Sequence, residues 1–60
     1  MSKRAVDSVF RAMFLLTDIR VILRETAPVH ELDETQRATV TRTLAELEEQ
    51  VKVIREEMAG

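Results

Sequence analysis

The chain has no cysteine, tryptophan or tyrosine, one histidine, one proline, and one glycine at its last position. Each absence excludes something. Without cysteine there are no disulfides and no thiolate metal site, and His30 alone cannot supply the four Cys or His ligands of a typical structural zinc centre. No thiol is available for redox or acyl-transfer catalysis, and the hydroxyls of Ser2 and Ser8 lie far along the chain from the only imidazole. There is no glycine-rich phosphate loop. His30, Glu31, Asp33 and Glu34 are neighbours in sequence, but Asp33 suits a helix cap and the acids suit the positive end of the helix that follows, so no metal site is read there. The remaining carboxylates recur on wet helix faces rather than in a cleft that would separate their pKa values. The expectation is a non-enzyme with no catalytic residue, cofactor, metal or small-molecule ligand.

Long uninterrupted apolar runs are also missing. Lys3 and Arg4 precede an apolar stretch from Ala5 to Leu23, but Asp7, Arg11, Asp18 and Arg20 fall inside it. A membrane span needs about 20 mostly apolar residues, and a signal peptide needs an unbroken core. The stretch therefore reads as a soluble helix of a cytoplasmic protein with no membrane partner. A net charge of −2 with a third of the residues charged describes a soluble protein rather than a polyelectrolyte.

Sixty residues allow one domain, 1–60. A core of that size seldom supplies more than about 3–5 kcal/mol without a disulfide, a metal or association. With the first two excluded, association is the route left.

Pro28 and the non-periodic segment from Thr26 to Leu32 divide the chain into two long runs. Pro28 disfavours helical geometry at Ala27, and Asp33 followed by Gln36 fits a capping box that restarts a helix. The reading is all-α: helices over about 3–26 and 34–58, folded as an antiparallel two-helix hairpin and dimerising into a four-helix bundle. In the second helix Val40, Leu44, Leu47, Val51, Ile54 and Met58 follow the 4-3-4-3-4 spacing of a coiled-coil seam. Ala5, Val9, Ala12, Leu16, Ile19 and Leu23 repeat that spacing in the first helix, so these two lines are expected to form the seam within the chain.

The first helix carries more apolar surface than one seam uses. Val6, Phe10, Met13, Phe14 and Val21 form a second stripe, offset by roughly a quarter to a third of a turn, while Arg4, Asp7, Arg11, Asp18 and Glu25 occupy the remaining arc. This stripe, with Arg20 among its residues, is the expected interface with a second copy or a partner protein helix. Arg20 is read as laying its methylenes along the interface edge; Arg20 and Arg24 together are the alternative anion or partner contact.

Charge is uneven. Up to Thr26 there are five basic and three acidic residues; from Ala27 onward there are four basic and eight acidic. An antiparallel hairpin places Lys3, Arg4 and Arg11 near the acidic end of the second helix, pairings that set orientation more than stability.

The predicted function is a non-enzymatic oligomerisation or protein-interaction module, an adaptor, scaffold or regulator acting through helix packing. The alternative rests on architecture. A hairpin of about 60 residues forming a dimeric bundle is similar to the Rop-type RNA-binding bundles. That resemblance implies nucleic-acid contact through basic residues and a phenylalanine on the first helix, the places taken here by Lys3, Arg4, Arg11 and Phe14. Asp7 and Asp18 on the same strip oppose it.

Overall fold

In the computed structural model, which describes residues 2–60, two helices pack antiparallel. Helix α1 spans Lys3–Thr26 and helix α2 spans Glu34–Met58. The molecule is a rod of about 40 × 16 × 14 Å. Both helices have the expected bounds, and both starts have a local cause. The Ser2 hydroxyl accepts from the Ala5 amide at 3.1 Å, capping α1. At α2 the expected capping box is complete: Asp33 Oδ1 accepts from the Gln36 amide at 2.7 Å, and the Asp33 amide donates to Gln36 Oε1 at 2.9 Å. Such caps satisfy backbone donors that the helix itself leaves open, each worth about 1 kcal/mol.

Helix α1 stops at Pro28. Ala27 takes an extended conformation, the Ala27–Pro28 peptide is cis, and His30 enters the left-handed region at φ 57°. Its amide donates to the Thr26 carbonyl at 2.8 Å, closing the turn.

On α1 the seam keeps Ala5, Ala12 and Ile19 from the expected line, with Ser8 buried beside half-buried Val9, but takes Leu15 and Ile22 in place of Leu16 and Leu23. Ala5, Ser8, Leu15, Ile22 and Thr26 are buried, and Ala12 and Ile19 are half-buried. Leu15 is 3% exposed, whereas Leu16 and Leu23, assigned to the seam from spacing, are 53% and 47% exposed, and Val9 is half-buried. On α2 the contact centres on Thr43, with Val40, Leu47, Gln50 and Ile54 half-buried; Leu44, Val51 and Met58 turn outward. Ala5, Ser8, Ala12 and Thr43 put small side chains on the contact, and Leu15 and Ile22 supply its apolar bulk in place of Leu16 and Leu23. Buried hydroxyls in such a contact need partners, and Thr26 Oγ1 has one in the Ile22 carbonyl at 2.9 Å.

The buried side chains and the exposed ones therefore carry different weights. Leu15→Ala is expected to lower the unfolding free energy by about 2–5 kcal/mol, most of what a domain of this size has. Leu23→Ala, outside the seam, is expected to cost well under that. Urea titration of the two variants followed by circular dichroism checks the difference, and equal losses would restore the alternative line through Leu23.

Candidate interaction surface

The seam divides the rod into two unlike long faces. On one face Arg11 Nε donates to Glu46 Oε2 at 2.5 Å, and Arg4 donates through Nη1 to Glu57 Oε2 at 3.2 Å, with Glu56 at 3.8 Å from the second guanidinium nitrogen. The Ser2 hydroxyl also donates to Glu57. These pairs fix the register. Position 4 lies beside 57 and position 11 beside 46, so residues whose numbers add to about 60 share a level along the rod, at roughly 1.5 Å per residue.

The other face is apolar. At 100° per residue, Val9, Leu16 and Leu23 fall on the side of the α1 seam opposite Arg4 and Arg11. Leu44 and Val51 fall on the side of the α2 seam opposite Glu46. In an antiparallel pair these two sides coincide, so Leu16 stands level with Leu44 and Val9 level with Val51. The face continues around α1 through Val6 and Met13 to Phe10, then to Phe14 and Val21 on the side away from α2. All of these are exposed except half-buried Val9; Phe14 is 66% and Phe10 56% exposed. On α2 an open groove of about 280 Å³ is lined by Leu47 and Val51, with Glu48, Lys52 and Arg55 around it.

The second stripe expected from the sequence (Val6, Phe10, Met13, Phe14, Val21) is thus solvent-facing in the single chain, and Arg20 is exposed beside it. The contribution of α2 was missed. Leu44, Val51 and Met58 were assigned to the intrachain seam and instead extend the apolar surface across both helices. The candidate nucleic-acid residues separate: Lys3 is exposed, whereas Arg4 and Arg11 are held by glutamates of α2. Their charge is thereby largely compensated, weakening the basic surface that phosphate binding needs.

No family model, curated protein or solved structure matches this chain. Among the described residues, no helix is long and apolar enough to cross a membrane.

The charged face titrates. The hydrogen bond from Arg11 holds the Glu46 carboxyl below the ordinary glutamate range, and the pairing raises the Arg11 guanidinium pKa. The Ser2 hydroxyl, then the Arg4 charge, do the same to Glu57. A carboxylate with a lowered folded-state pKa stabilises the fold above its unfolded value, near 4.3, and that contribution disappears as pH falls through the folded value. Thermal unfolding is therefore expected to shift to lower temperature on acidification from pH 5 to pH 3. The combined Glu46→Gln and Glu57→Gln variant should show a smaller shift across this window, and an identical shift would remove these pairs as its source.

Proposed function

We propose that this chain is a non-enzymatic helix-association module that works as part of a homo-oligomer, a four-helix bundle of two hairpins being the simplest assembly. The observation that carries the reading is the exposed apolar face formed by Val6, Met13 and Leu16 on α1 and continued by Leu44 and Val51 on α2. At about 25 cal/mol per Å² of apolar surface, covering such a face contributes several kcal/mol, comparable with the whole stability of a core this size. Large exposed apolar patches on small soluble chains mark interaction sites. A bundle of this kind packs through coiled-coil-like contacts in which matched stripes exclude water.

Light scattering on the purified chain at micromolar concentration is expected to give twice the chain mass. Replacing Met13 and Leu16 together by aspartate should return it to the single-chain mass with helical content retained, because both side chains lie outside the intrachain seam. A chain that is monomeric before substitution overturns the proposal. So does a double variant whose mass is unchanged.

A further inference from the structure

We infer that the occupant of the apolar face shared by α1 and α2 is a second copy of this chain, related by a two-fold axis perpendicular to the rod and passing near Val51, so that Glu48 of each copy meets the partner's Arg55. The inference rests on the association reading above and specifies its geometry.

Two closed arrangements place this face against itself. With the two-fold parallel to the rod, α1 lies over the partner's α2 and levels are preserved. Glu48 then faces the level of Met13, and Arg55 that of Val6, so the α2 charges lie beside apolar side chains and gain no partner across the interface, whereas complementary rim charges fix register. With the two-fold perpendicular to the rod, each helix lies antiparallel over its own copy. An axis near Val51 brings Leu44 opposite the partner's Met58 and Val51 opposite the partner's Val51. The same axis sets Glu48 against the partner's Arg55 at the edge, twice over. These residues border the groove whose floor is Leu47 and Val51. At that level on α1, the turn from Val6 to Val9 meets its counterpart.

The axis also accounts for Arg20 and Arg24, charges that interrupt the stripe. It lies toward the end of the rod away from the loop, so both, on the loop side of the middle, fall outside the overlap and stay in water. Half-exposed Met13, Leu16, Leu44, Val51 and Met58 lie within it, together with Val6. Their apolar surface is on the order of several hundred Å² per chain, the scale of the roughly 800 Å² that each partner gives to a standard interface.

Charge reversal and thiol placement test the axis. Glu48→Arg alone and Arg55→Glu alone should each raise the dimer dissociation constant about tenfold, as two favourable pairs become repulsive, and the double reversal should restore it. The natural chain has no cysteine, so Val51→Cys introduces a single thiol. A short bis-maleimide linker should join it efficiently into dimers, whereas Phe14→Cys should stay unlinked. Circular dichroism confirms that each variant remains helical. A dimer that neither links through Val51→Cys nor recovers on double reversal overturns this axis while leaving the association reading standing. Preferential linking through Phe14→Cys does the same. A natural chain that is monomeric at every concentration overturns both.

Discussion

The line along which α1 meets α2 determines most of what this molecule is. Ala5, Ser8, Ala12 and Thr43 occupy the line where the helices meet, so the seam is poor in apolar area, and its large apolar members are Leu15, Ile19 and Ile22 on α1 with Leu47 and Ile54 on α2. A seam built this way concentrates its hydrophobic stabilisation in a few side chains, Leu15 and Ile22 foremost. The side chains that would fill the core of a larger domain stand on the outside.

The charged face and the apolar face follow from that one choice of line. Once Leu15 and Ile22 point inward, helical periodicity puts Arg4 and Arg11 on one side and Leu16 and Leu23 on the other. The matching rotation on α2 puts Glu46 with the arginines and Leu44 and Val51 with the leucines. Exposed ion pairs of this kind add little stability. Their consequence is geometric: they hold the register of the hairpin and keep one long side wet, leaving the opposite side as the surface free to associate.

Helix bounds and the loop were legible in the sequence because their signals are local. Pro28 ends α1, and Asp33 with Gln36 begins α2 through two short hydrogen bonds. The seam was legible only on one side of the ambiguity. In α1 the lines through Leu16 and Leu23 and through Leu15 and Ile22 have the same spacing and nearly the same hydrophobicity. The occupied line looks poorer because it includes Ser8 and Thr26. Hydrophobicity alone favours the line through Leu16 and Leu23, whereas the helices meet along Leu15 and Ile22. The same preference misassigned Leu44 and Val51, hiding the half of the apolar face that α2 supplies.

If the stability of this fold depends on covering that face with another copy, folding and association are linked by mass action, and the unfolding temperature must depend on protein concentration. Thermal unfolding followed by circular dichroism across a hundredfold concentration range is the most direct measurement. A midpoint that rises steadily with concentration is the predicted result, and one that stays fixed across the range would contradict the account.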